Sequence, residues 1–190
     1  VAVAVIALAM TAGCSIRVGG ERDDDGAQVF GEDAGLRWDL TRPLESEPLG
    51  LPSDQLAIAD VPEDATVELT LPSGTWSGRA EQFTVTTRHG YVDQVNVYWT
   101  EADGQAAADR MVADADLLGV DAAQVAEWAE VAEWAETADI NETRTEDNYN
   151  GSNGAVSTSI KPGMAVGEGA GTPVRLWYHF YVRDVVEAAD

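Results

Sequence analysis

Between Pro173 and Arg183 the chain alternates strictly. Val174, Leu176, Tyr178, Phe180 and Val182 fall on one face, and Arg175, Trp177, His179, Tyr181 and Arg183 on the other. Period two over this length predicts a half-buried strand whose more aliphatic set faces the core. The same period recurs upstream. Val67, Leu69 and Leu71 alternate with Glu68 and Thr70 until Pro72-Ser73-Gly74 ends the run. Phe83 and Val85 share a face within Gln82–Thr87. Beyond Arg88-His89-Gly90, Val95, Val97 and Trp99 share one face of Tyr91–Trp99, and Gln94, Asn96 and Tyr98 the other. Two such runs joined by a short Gly-containing loop predict a hairpin.

The period then becomes helical. Ala107, Met111, Ala115 and Leu118 recur at helical spacing, which puts them on one stripe. Thr100 is placed as the N-cap and Gly119 as the left-handed residue that ends the helix. Asp121 opens a second helix, with Gln124 in capping-box spacing. The two helices are expected over residues 101–118 and 122–138. Strand signals then return. Glu142–Asp147 suits a polar edge strand, Asn148–Gly154 a turn-rich loop, Ala155–Ile160 a strand and Lys161–Thr172 a glycine-rich loop. The order βββααβββ over residues 66–190 predicts a single α+β domain. It would be an antiparallel sheet of about five to six strands with the helix pair packed on one face.

The residues before this domain follow other rules. Pro43, Pro48, Pro52 and Pro62 interrupt residues 36–65, which predicts an irregular arm, partly docked through Trp38. Residues 14–35 are rich in Gly, Asp and Glu, the composition of a flexible tether. Val1–Met10 is almost wholly apolar and runs into Thr11-Ala12-Gly13-Cys14-Ser15. An apolar run of about 7–15 residues ending in small residues is the core of a secretory signal, and a membrane-spanning helix needs about 20. The small-small-Cys ending resembles the lipobox of bacterial lipoprotein precursors. That resemblance implies a diacylglyceryl group on the Cys14 thiol and removal of residues 1–13 as a signal peptide. It also implies a protein held by lipid at the extracytoplasmic face of the cell membrane. Cys14 is the only cysteine, so no intramolecular disulfide supports the fold.

Charge narrows the partners. The chain has 34 acidic against 11 basic residues, a net charge of −23, and Lys161 is its only lysine. Binding to nucleic acid rests on Lys and Arg at phosphates, so nucleic acid is not an expected partner. The expected contacts are the membrane, through the lipid on Cys14, and a peptide, a glycan or an envelope protein.

Signals for catalysis are sparse. There is no Gly-x-Ser-x-Gly turn, no His-Glu-x-x-His and no Cys/His cluster, so neither the hydrolase elbow nor a zinc site is signalled. Asp23-Asp24-Asp25 and Asp114-Ala115-Asp116 are dense in acid, but neither fits a calcium-loop pattern. No catalytic residue, cofactor or metal site is assigned. Two features stand out instead. The first is the set Trp177, His179 and Tyr181 flanked by Arg175 and Arg183. Rings beside guanidinium forks suit a carboxylate, a sugar or a peptide. The second is the direct repeat Val125-Ala126-Glu127-Trp128-Ala129-Glu130 and Val131-Ala132-Glu133-Trp134-Ala135-Glu136. Residues three apart drift by about 60° around a helix. The repeat therefore either lengthens a core-packing helix, or leaves Trp128 or Trp134 exposed as a contact residue. The leading expectation is a non-enzymatic binding module. The alternatives are an extracytoplasmic hydrolase using acidic residues, and a structural accessory subunit of an envelope complex.

Overall fold

The computed structural model describes residues 26–138 and 144–187. Cys14, the apolar run before it and Asp23–Asp25 lie outside the described residues. In chain order the elements are β1 (Gly35–Asp39), β2 (Leu56–Ile58), β3 (Thr66–Leu71), β4 (Gly74–Arg79), β5 (Gln82–Arg88) and β6 (Tyr91–Glu101), then α1 (Gly104–Leu118), α2 (Ala122–Ala126) and α3 (Trp128–Thr137), then β7 (Arg144–Glu146), β8 (Tyr149–Asn153), β9 (Val156–Ala165), β10 (Val174–Tyr181) and α4 (Arg183–Glu187). The architecture is α+β. The large sheet runs β2-β5-β6-β10-β9, with β7 and β8 sharing the outer edge of β9, and every pair in it is antiparallel. The small sheet is β1-β3-β4, in which β1 lies parallel to β3.

Local chemistry accounts for the element ends. His89 and Gly90 both have positive φ, 53° and 84°, as a two-residue hairpin turn of the primed type demands. Asp103 caps α1 by accepting the Ala106 N–H at 2.8 Å. Gly119, at φ 66°, ends it in the left-handed conformation. Asp121 caps α2 by accepting from Ala123 N–H at 2.8 Å. The last carbonyls of α1 are met by side chains from other parts of the chain. Ser73 and Asn153 donate to Leu117 O, each at 2.7 Å, and Thr158 donates to Leu118 O at 2.6 Å.

Both the small sheet and the helices lie on the same face of the large sheet. Trp76 of β4 packs on Trp99, Tyr178 and Phe180 with centroids 5.4–5.9 Å apart. Beneath it, Asp114 of α1 accepts from Trp76 Nε1 at 3.1 Å and from Arg110 Nε at 2.7 Å. The Arg110 guanidinium lies 5.7 Å from the Trp76 and Trp99 rings. Tyr178 is buried in the same knot, and burial, helped by the Asp114 carboxylate, keeps its phenol protonated. Asp114 is thus a structural partner in the core.

Several elements differ from the expected order. The structure has more strands than five or six among its described residues. Residues 36–65 are expected as an irregular arm, but they supply β1 and β2 and bury Leu36, Trp38, Leu40, Leu51, Ala57 and Ala59. The packing begins before residue 35, because Phe30 lies edge-on to Phe83 at 5.5 Å. β4 forms between Leu71 and Gln82, where no element is expected, β8 replaces the turn-rich segment 148–154, and the second helix, expected over residues 122–138, is split at Glu127 into α2 and α3. β9 runs on through Lys161, Pro162 and Gly163. β6 extends to Glu101, so the helix is capped by Asp103 and not by Thr100.

Candidate functional site

Because the helices and the small sheet cover one face of the large sheet, its other face is open. The strand register sorts that face into cross-strand rows. One row is Leu56, Thr86, Gln94, Tyr181 and Ser157, and the next is Ile58, Thr84, Asn96, His179 and Ser159. A third is Gln82, Tyr98, Trp177 and Lys161, and a fourth is Thr100, Arg175, Gly163 and Glu146. The chemistry changes steadily across these rows. The β2 edge is apolar, with Leu56 50% and Ile58 45% exposed. The middle is amide and hydroxyl. β10 is aromatic, and β9 with β7 is cationic.

In the middle, Asn96 is the organising group. Its Oδ1 accepts from Gln94 Nε2 at 2.6 Å and from His179 Nδ1 at 2.7 Å, while its Nδ2 donates to Thr84 Oγ1 at 2.8 Å. This network assigns the imidazole hydrogen to Nδ1 and leaves the Nε2 lone pair free. Burial, and then the Lys161 charge, hold the His179 pKa below its ordinary value, so the ring is neutral at pH 7. Tyr181 stacks on it at 6.3 Å, and Tyr98 meets it edge-on at 6.2 Å. Ser159 stands opposite His179 in β9, but its hydroxyl donates to Asn148 Oδ1. No bond joins this hydroxyl to the imidazole, so the row is not wired as a nucleophile and base.

Beside this network Trp177 sits among cations. Arg144, Lys161 and Arg175 place their charged centres 4.9, 5.5 and 5.6 Å from its ring centroid. Arg175 also lies 5.8 Å from the Tyr98 ring. The indole leans over the backbone at Gly163. A Cβ there would lie 2.9 Å from Trp177 Cζ3 and 2.8 Å from Arg144 Nη2, so a larger residue would push the ring and the guanidinium from these positions. Glu146 bridges Arg144 Nε and Lys161 Nζ, each at 2.7 Å. The hydrogen bond from Lys161 does most to lower its carboxyl pKa. Arg175 donates only to Gln82 Oε1, at 2.8 Å, and among the described residues it meets no carboxylate.

The structure brings four of the five sequence-derived residues of the binding set together: Arg175, Trp177, His179 and Tyr181. Arg183 is set apart. It begins α4, and its guanidinium forms a two-pronged pair with Asp93 at 2.9 and 3.1 Å. Arg144, Lys161, Asn96, Tyr98 and Gly163 join the site from other strands. The shared face of Gln94, Asn96 and Tyr98 is visible in the sequence. What the sequence lacks is the pairing that sets this face beside β10. Of the two repeat tryptophans, Trp128 is fully buried and Trp134 is 46% exposed.

Away from this face, a concavity of about 330 Å³ lies between the start of α1 and α3. It is lined by Asp103, Gln105, Glu130, Glu133 and Glu136 with small residues between them. Among the described residues no group of three or more His, Cys, Asp and Glu side chains could hold a metal ion. No described helix is long and apolar enough to cross a membrane. No family model, no curated protein and no solved structure matches the chain.

Proposed function

We propose that the protein is a non-enzymatic binding module, lipid-anchored through Cys14 at the extracytoplasmic face of the membrane. The open face of its large sheet receives a peptide, a glycan or a partner protein. One observation carries this reading. Trp177 is only half-buried, is ringed by cations, and stands on the face of the large sheet that neither the helices nor the small sheet covers. A fold of this size could have placed so large a ring in its core, as it does with Trp76, Trp99 and Trp128. A half-exposed indole flanked by Arg is typical of contact surfaces.

Two experiments test the two halves of the proposal. For the face, Trp177→Ala is compared with the parent chain in fluorescence titrations against a panel of oligosaccharides and short peptides. The expected outcome is that a ligand bound by the parent is lost in the variant while the melting temperature changes little. Unfolding of the variant, with Trp177→Phe also unable to bind or fold, would assign the ring to the core. For the anchor, Cys14→Ser should move the protein from the membrane fraction to the soluble fraction and abolish labelling by a palmitate analogue. A wild-type protein that is itself soluble or unlabelled would overturn it.

A further inference from the structure

Resting on that reading, we infer that the ligand of the open face is an acidic saccharide, a pyranose chain carrying carboxylates. Arg175 and Lys161 hold it beside the Trp177 ring. The chain as a whole carries −23, so its general field repels anions. The Trp177 cluster inverts that field locally. Three cations converge on one ring, and the single carboxylate among them, Glu146, answers only Arg144 and Lys161. Arg175 keeps unused donors in the fork geometry that suits a carboxylate. The indole already holds these long side chains in place, so less freedom is lost when an anion binds.

The surroundings favour a sugar over other anions. Two rows from the cluster, about 13 Å along the strands, lie exposed or half-buried neutral groups, Gln94, Ser157 and the Tyr181 hydroxyl, within reach of a later unit of a saccharide chain and able to exchange hydrogen bonds with its hydroxyls. Tyr181 is 40% exposed and offers a ring face to the apolar side of a pyranose. A peptide finds less here. The main-chain groups of β6, β10 and β9 are paired within the sheet, whereas extended peptides dock on unpaired strand edges.

The test is calorimetric titration of the full chain carrying Cys14→Ser with trigalacturonate, its methyl ester and a glutamate decapeptide, at low ionic strength. The methyl ester keeps the rings and removes the charge. Binding of trigalacturonate alone is expected, weakened about tenfold or more by Arg175→Gln and by Lys161→Gln, as for loss of a charge-assisted hydrogen bond. Arg175→Lys should retain part of it. Circular dichroism confirms that each variant is folded; where a Gln variant is not, the Arg175→Lys comparison decides. Equal binding of trigalacturonate and its ester, unaffected by Arg175→Gln, overturns the acidic specificity but leaves the saccharide face standing. Binding of the decapeptide instead of the sugar overturns the saccharide and leaves the binding face standing. Binding of none of the three overturns the inference, while the broader panel tested on Trp177→Ala decides the face separately.

Discussion

Gly119→Ala is expected to destabilise the fold by about 3 kcal/mol or more, from left-handed strain and overpacking together. Gly119 has φ 66°, and an added Cβ would lie 2.1 Å from Ser152 O and 2.9 Å from Ser152 C. Those atoms are backbone of β8 and cannot swing aside as a side-chain tip can. The partner strand is equally close from its own side: a Cβ on Gly151 would lie 2.5 Å from Leu118 O. Two glycines therefore let the end of α1 cross β8 at backbone contact. Gly90→Ala is the matched control. Gly90 also has positive φ, 84°, but its added Cβ would meet nothing within 4 Å, so it should lose only about 1 kcal/mol. Urea unfolding of the two variants checks this. Equal losses would mean that the crossing is loose.

The two repeat tryptophans should behave as opposites. Trp128→Ala is expected to cost about 3–5 kcal/mol, as for other buried aromatic truncations. Trp134→Ala should cost less than about 1 kcal/mol. The same six residues occur twice, yet Trp128 is fully buried and Trp134 is 46% exposed. Helix geometry explains the difference. Both lie in α3, where six residues advance the helix by about 600°, so Trp128 and Trp134 are turned about 240° from one another. Only one copy can present its Trp to the sheet. The same denaturant melts measure both variants, and a large loss at Trp134 would contradict its exposure.

Alternation made β3, β5, β6 and β10 readable, because each has several apolar residues on one face. β4 carried no such pattern. Trp76 is its only large apolar residue, between Gly74, Thr75, Ser77 and Gly78, and one ring filling the core replaces a row of aliphatics. β8 consists of Tyr149, Asn150, Gly151, Ser152 and Asn153, residues that favour turns in isolation. Its extended form is imposed by β9 beside it and by the close passage of α1 over Gly151. Pro162 hid the length of β9. It sits where the outer partner of β9 changes from β8 to β7, and its carbonyl accepts from Asp147 N–H at 3.2 Å. That break in the ladder is a place where a missing N–H does little harm. The candidate site divides along the same line. Its aromatic row lies on one strand and could be read locally. Lys161, Gly163 and Arg144 reach Trp177 through strand pairings that no local pattern encodes.

The end of α1 has a further consequence for cooperativity. Its last carbonyls take donors from the β3–β4 turn through Ser73, from β8 through Asn153 and from β9 through Thr158. Segments far apart in the chain thus close on one helix terminus. Leu117 O keeps one of its two donors if Ser73 or Asn153 is lost, whereas loss of Thr158 takes from Leu118 O the side-chain donor it has in the interior. The small sheet, the helices and the C-terminal strands therefore meet at one helix terminus, and an opening of any of them is felt by the others there.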